Sequence, residues 1–376
     1  MSETPAPEAW FIATPVELAQ VCTELAATAW LALDTEFERS RTFYAELCLV
    51  QIAAPAFICC IDPLALADLS PLTTLLATHT GSKLLHAARQ DLEVLYNLAN
   101  AVPAGPLFDT QIAAALVGLA DNIGYADLVQ QLLGTTLDKS QTRTDWRQRP
   151  LTTAQRAYAA DDVRYLAPVT SQLRERLDRL GRAAWLAEDC EAQLNPATYA
   201  QPVGSAWQRV KGIGALPPPA FARAVALAAW REAAARERNL PRGWVLKDEE
   251  LLHVALAAPT STRELAALAG GNAGALRRHG DAVIELLQGA ASLAVPTPPR
   301  RLNAAGRAAC KKLSTQAQTI AQELALAPTV VVTRRELEAV LCGDIPARLQ
   351  TGWRRSVLAA IIDELPAGGD PIWWDV

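Results

Sequence analysis

Apolar positions fall into two regimes along the chain. In the first third they gather in short blocks: Trp10–Ile12, Trp30–Leu33, Glu46–Ile52, Ala56–Ile61, Lys83–Ala87 and Leu107–Asp109. Blocks this short, rich in Leu, Ile, Val and Cys and bounded by turn formers, read as strands. Those starting at Trp30, Glu46 and Ala56 follow one another with short links and predict an antiparallel meander. Thr14-Pro15 with Glu17 three residues after Thr14 predicts a capped helix between the first two blocks. After Asp62-Pro63, strand blocks alternate with helical segments near Leu72–Ala77, Asp91–Tyr96 and Thr110–Val117, a rhythm that favours parallel pairing. From Tyr125 to Leu180 the spacing is mostly helical. The expected architecture is a mixed sheet flanked by helices.

The helical texture breaks over Ala197–Ser205 and again over Leu293–Arg300, where Pro296, Pro298 and Pro299 mark a second linker. Between and after them lie two Ala-rich helical units, Trp207–Leu287 and Leu302–Leu365. Both contain a Pro, a short apolar run and a Glu-Leu pair: Pro241 before Trp244-Val-Leu246 and Glu250-Leu251, Pro328 before Val330-Val-Val332 and Glu336-Leu337. The match points to a duplicated unit. The division is therefore 1–200, 206–290 and 300–376, and a catalytic body cut after about residue 205 should keep its chemistry. The tail Asp370–Val376 carries no readable role.

Charge sharpens this division. Residues 1–200 hold 14 Lys+Arg against 24 Asp+Glu, whereas 201–376 hold 21 against 16. An acidic body joined to a basic appendage fits a catalytic domain with a nucleic-acid grip, although uneven solvated surface would look the same. No apolar run approaches the roughly 20 residues that cross a bilayer. The acidic, Pro-rich first ten residues are unlike a secretory leader. Seven cysteines without regular spacing read as thiols of a reducing compartment, so the cytoplasm is expected.

Two acids, Asp34 and Glu36, stand two residues apart at the end of an apolar strand. Side chains alternate along a strand, so both carboxylates face the same side. Such a pair is costly to bury unless a hard cation such as Mg²⁺ or Mn²⁺ offsets it; the alternative is a strand that simply ends in solvent. Asp91 opens a predicted helix after a strand, where open α/β sheets place their ligands, although acids there also favour the helix dipole. Tyr158 and Asp162 are one helical turn apart and share a face.

The order Asp-x-Glu, Asp after Leu85-His-Ala, then Tyr-x-x-x-Asp resembles the tyrosine-bearing branch of the DEDD exonucleases. Leu31-Ala-Leu-Asp-Thr-Glu-Phe37, Leu85–Leu95, Phe108-Asp-Thr-Gln-Ile-Ala113 and Asp145-Trp-Arg-Gln-Arg-Pro-Leu151 look like the ribonuclease D family. Trp207–Leu287 resembles the helicase-and-RNase-D C-terminal (HRDC) domain, with Leu302–Leu365 as a divergent second copy. The resemblance implies a ribonuclease-H-like mixed-sheet exonuclease domain followed by two all-α HRDC-like domains. It implies 3′→5′ hydrolysis of RNA to 5′-mononucleotides with two Mg²⁺ or Mn²⁺ ions. Asp34, Glu36, Asp91 and Asp162 would be the metal ligands, with Asp34 bridging, and Tyr158 would orient the attacking water. The expected partner is RNA with a free 3′ end, transfer-RNA precursors included, acted on by a monomer with no membrane involved. A DNA exonuclease of the same superfamily and a non-catalytic RNA-binding scaffold are the alternatives.

Further candidates surround this set. Phe37 and Gln51 are candidate contacts to the terminal nucleotide. His86 is a candidate substrate contact or a core histidine, and Asp109 an N-cap or a support for the metals. Lys139, Arg143 and Arg147 are a candidate phosphate guide or an exposed basic loop. Lys211, in Lys211-Gly-Ile-Gly214, is a candidate phosphate contact in a turn that otherwise only caps a helix.

Overall fold

The computed structural model describes residues 9–268, 278–290, 296–298, 300–363 and 373–374. Six strands, β1 (Trp10–Ile12), β2 (Trp30–Glu38), β3 (Glu46–Ala53), β4 (Ile58–Ile61), β5 (Ser82–Leu85) and β6 (Leu107–Asp109), form one sheet in the order β1-β4-β3-β2-β5-β6. The β2-β3-β4 meander is antiparallel as expected. The pairs β1–β4, β2–β5 and β5–β6 are parallel. This places β2 inside the sheet with Leu31, Ala32 and Leu33 buried, so its acids emerge from the middle of the sheet.

Around the sheet run α1 (Pro15–Ala26), α2 (Ser70–Thr78), α3 (Arg89–Ala99), α4 (Thr110–Leu116), α5 (Tyr125–Leu133), α6 (Thr153–Arg164), α7 (Leu166–Arg179) and α8 (Ala183–Gln193). Helix α1 carries the expected Thr14/Glu17 capping box. The strand expected over Lys83–Ala87 stops at Leu85, because Ala87 turns into the left-handed region at φ 55°. The helical stretch expected from Tyr125 to Leu180 is also interrupted. Helix α5 ends at Gly134, whose φ of 72° suits glycine, and the chain then runs irregularly to Thr152. Arg149 fastens this excursion to the sheet domain. Its guanidinium pairs with buried Asp62 at 2.6 and 2.8 Å and donates to the Cys48 carbonyl at 2.7 Å.

The first helical unit comprises α9 (Pro218–Glu237), α10 (Arg242–Val245), α11 (Asp248–Ala257), α12 (Thr262–Leu268) and α13 (Gly280–Gly289). It has a core of its own, including Phe221, Leu227, Leu251 and Val283. The second comprises α14 (Ala304–Glu323), α15 (Pro328–Val331), α16 (Arg334–Leu341), α17 (Ala347–Gln350), α18 (Gly352–Val357) and α19 (Ala359–Asp363). Here packing departs from the sequence reading. Cys310, Leu326, Val331, Leu337 and Trp353 belong to the same continuous core as the sheet. A cut after about residue 205 would strip one wall of that core. The linker expected over 293–300 lies partly outside the described residues, as do the tail beyond 363 and the first eight residues. Trp373–Trp374 (β8) pair antiparallel with Arg301–Leu302 (β7).

The two units share a corner. Helices α9 and α14 are both 20 residues long. Each ends with a left-handed residue two positions on, Asn239 at φ 47° and Ala325 at φ 51°. In each, the next N–H reaches back over the helix end, Leu240 to Ala235 and Leu326 to Ala321. A short helix and a second capped helix follow in both. Each corner also touches the sheet domain. Asn239 Oδ1 accepts from Phe43 N and Tyr44 N, both at 3.1 Å, and the Phe43 ring lies against the Arg242 and Arg236 guanidinia. On the other corner Arg182 donates to the Leu324 carbonyl. The Ala325 carbonyl sits where a Cβ on Gly118 would come within 2.8 Å, so that position requires glycine.

The second unit is also pinned by Arg354, which donates to Val330 O at 3.0 Å and pairs through both terminal nitrogens with Asp189. Trp353 stacks on Trp185 beside it, centroids 4.4 Å apart. Arg354→Ala leaves the largely enclosed Asp189 carboxylate without its cation, a loss of roughly 3 kcal/mol. The urea midpoint should fall accordingly; an unshifted midpoint would mean the pair does not hold the unit down.

Candidate active site

Strand β2 carries Asp34 and Glu36 on one face, as alternation requires, and α6 brings Asp162 over them. One oxygen from each of Asp34, Glu36 and Asp162 lies within 4.8 Å of the others. Asp91, in the first turn of α3, arrives differently. Its Oδ1 accepts from Thr35 Oγ1 at 2.6 Å and Thr35 N at 3.1 Å. Thr35 thus uses the position between the two acids to moor the fourth. Asp91 is only 7% exposed.

Four carboxylates so placed resist ionisation. Burial, then the charges of Asp162 and Asp91, pushes Glu36 up to about 8. Burial is also the largest cause holding Asp34 well above the usual carboxylate range, followed by Asp91, Asp162 and Glu36. Asp162 and Asp91 are raised, each by burial first. The donor set is all hard oxygen, and its acids are mutually repelling in the absence of a cation. Both features fit divalent ions of the Mg²⁺ or Mn²⁺ class. Tyr158, one turn before Asp162, is pushed up to about 12 by burial and then by Asp162. Its phenol therefore keeps its proton at neutral pH. The ring packs near Trp146, centroids 6.0 Å apart, and Thr142 lies beside the hydroxyl.

The supporting residues divide sharply. Asp109 is both the N-cap of α4 and a brace for the site. Its Oδ1 accepts from Gln111 N at 2.9 Å and Ala87 N at 3.0 Å, and its Oδ2 from Ala88 N at 2.9 Å. It thereby holds the left-handed turn at Ala87 that launches α3 and Asp91. His86 is not a substrate contact. Its Nδ1 meets Thr110 Oγ1 at 2.9 Å and its Nε2 meets the Ile123 carbonyl at 3.0 Å, leaving no ring nitrogen for a ligand. Gln51 is likewise corrected. It is fully buried opposite Asp34 in the β2–β3 ladder, with Nε2 3.5 Å from Asp34 Oδ2, so it touches a site acid rather than a nucleotide.

Phe37 follows a β-bulge at the site's edge, with the Arg39 guanidinium 5.9 Å from its ring. Lys139 pairs with Asp127 at 2.8 Å and Arg147 with its own Asp145 at 3.2 Å; both pairs are exposed, and Arg143 is exposed nearby. The Lys211 N–H is given to Asp248, the first residue of α11, at 3.1 Å, which ties the turn to that helix. Two supports escaped the sequence reading. Thr35 gave no signal beyond its place between the acids. Tyr125 donates to the Asp161 carbonyl and accepts from Tyr165 N, both at 3.2 Å, propping the turn that carries Asp162, and nothing in its neighbourhood marked it.

Residues 10–178 match the family model for a 3′-5′ exonuclease, and 220–287 match that for an HRDC domain. The chain is 40% identical to a ribonuclease D of Pseudomonas paraeruginosa over 365 residues, covering 93% of this chain and 95% of that one. It is 41% identical over 292 residues to a ribonuclease D of Acidiphilium cryptum, covering 77% and 74% respectively. Among solved structures, RNase D of Escherichia coli, described as an exoribonuclease involved in structured RNA processing, superposes with a TM-score of 0.86. That match has 33% identity and covers 95% of this chain and 98% of that one. The mixed sheet is thus an RNase-H-like exonuclease domain followed by a helical HRDC domain, and the chain belongs to the ribonuclease D family of 3′→5′ exoribonucleases.

Proposed function

We propose that this exoribonuclease hydrolyses RNA from the 3′ end with two divalent ions held by Asp34, Glu36, Asp91 and Asp162. It would release 5′-mononucleotides from structured RNAs, transfer-RNA precursors among them. The observation that carries this is the convergence of carboxylate oxygens within 4.8 Å at the end of β2. Ions bound there supply charge neutralisation and an acidified water. The chain's own residues do the rest. Thr35 and Asp109 fix where Asp91 points, and Tyr125 steadies Asp162. Tyr158, protonated at neutral pH, donates or accepts a hydrogen bond that orients the water rather than removing its proton.

A groove of about 750 Å³ between the β2–β3 loop, α3 and the first helical unit would seat the strand beside the elements that carry Asp34, Glu36 and Asp91, although none of the four acids lines it. Its lining includes Tyr44 and Tyr96 as rings for bases, and Arg39, Arg209 and Arg242 as cations that share their charge with Glu93 and Glu232. Trp207 and Trp230 pack within the first unit, but Trp244 is 56% exposed beyond Arg242. We assign the units as 1–200, 206–290 and 300–376, the last a second HRDC-like copy; the shared corner supports that duplication. One chain supplies every acid, which favours a monomer. No helix among the described residues is long and apolar enough to cross a membrane, and all seven cysteines are free, which favours the cytoplasm.

The test is incubation with 3′-labelled and 5′-labelled RNA and DNA, with and without Mg²⁺ or Mn²⁺. Mononucleotides should leave the 3′ end of RNA only when metal is present; release that continues in EDTA would defeat the metal reading. Tyr158→Phe should bind RNA as before while kcat falls by about 10²-fold. Full turnover in that variant would remove the role given to the phenol.

A further inference from the structure

The groove beside α3 and the first helical unit uses none of the last unit. The 300–363 stretch nevertheless holds ten Lys+Arg against five Asp+Glu, the reverse of the sheet domain. Half of those cations gather in one place. A second groove, about 820 Å³, opens between the chain entering β7 and helix α16, and five arginines line it: Arg300, Arg301, Arg307, Arg334 and Arg335. Glu338 and Asp344 are the acids of its lining, and Glu338 is already paired with Arg334 at 2.9 Å. Arg301, Arg307 and Arg335 are exposed and enter no ion pair among the described residues. Lys311, one turn after Arg307 on α14 and also exposed, extends the charge along the helix.

Concentrated like charge on a folded surface is a standing cost unless an anion meets it. The apolar part of the lining, chiefly Pro298, Leu302, Ala339 and Cys342, includes no large exposed hydrophobic side chain among the described residues, which disfavours a protein partner needing an apolar anchor. Planar guanidinia suit successive phosphates. We infer that this arginine groove is a second RNA-docking surface, which grips the phosphodiester backbone of a structured substrate while its 3′ end lies at the acids. The inference rests on the reading of the chain as an RNA hydrolase given above.

Salt-dependent binding tests it, using the full chain without divalent metal so that no turnover occurs. The probes are a hairpin RNA with a single-stranded 3′ tail and a five-nucleotide RNA. The double variant Arg301→Ala/Arg335→Ala should bind the hairpin about tenfold more weakly, with the slope of log K against log salt reduced by about 2. Its turnover of the five-nucleotide RNA with metal should match that of the unaltered chain. Arg301→Lys/Arg335→Lys should recover most of the hairpin affinity, since charge is kept. Unchanged hairpin affinity and slope would overturn the inference, and so would an equal loss for the five-nucleotide probe, which marks a damaged fold. Failure of the unaltered chain to degrade the five-nucleotide RNA would count against the hydrolase reading instead, because docking is scored by binding alone.

Discussion

Asp162→Asn should turn over RNA on the order of 10³-fold more slowly than the unaltered chain, and its metal-free form should be the more stable of the two at pH 8. The pairing of those outcomes follows from the raised acids. Glu36 titrates near 8 in the fold against 4.5 when unperturbed, so the metal-free fold binds protons more tightly than the unfolded chain does. Its contribution to stability is complete below about pH 4.5 and is lost as the pH rises through 8. Removing the Asp162 charge relieves its neighbours and should return roughly 1–2 kcal/mol at pH 8. Saturating Mn²⁺ should raise the melting temperature of the unaltered chain at pH 8 far more than at pH 5. Thermal melts with and without metal at the two pH values, beside single-turnover rates, check every part. A metal-free variant that melts lower at pH 8, or one that keeps its rate, would contradict the account of these carboxylates.

Asp109→Ala should be the second severe change, although Asp109 is not among the carboxylates assigned to the metals. Its buried carboxylate serves Ala87 N, Ala88 N and Gln111 N, and at 3.2 Å it also accepts from the Gln193 amide. Alanine strands those donors and leaves the left-handed Ala87 without support, a loss of about 3–5 kcal/mol. Because the turn launches α3, Asp91 should shift, and a displacement near 1 Å costs about 10²-fold in kcat. Asp109→Asn keeps the shape and one carbonyl oxygen, so it should fall between. Hairpin RNA affinity should persist in both. If Asp109→Ala lowers stability but leaves kcat intact, the brace is structural only.

What the sequence disclosed was whatever depends on local periodicity. Two-residue spacing put Asp34 and Glu36 together, one helical turn joined Tyr158 to Asp162, and the Thr14/Glu17 box announced its helix. Hidden features involve long-range partners or conformations their residue types disfavour. Ala87 at positive φ has no compositional signal, so the strand expected there overruns the observed one. His86 sits beside the acid motif, yet its partners, Thr110 and Ile123, lie 24 and 37 residues away. Gln51 reads as a candidate nucleotide contact from sequence, and only strand register sets it opposite Asp34. The last unit's apolar stripe fitted a separate core equally well. Only packing reveals that Val331 and Trp353 share theirs with the sheet.

The two matching corners meet the sheet domain by different chemistry. At Asn239 the grip is a side-chain carbonyl, two backbone amides and a ring between guanidinia, over a unit with its own core. At Ala325 the helix end rests on a wall whose oil is common to both sides. Amide exchange should therefore proceed in stages as denaturant is added. Protons within α9, α11 and α13 should be lost as one early block, while those of α14 should vanish together with β2 and β5. Three units in sequence become two in cooperativity, and the piece free to come away is the middle one.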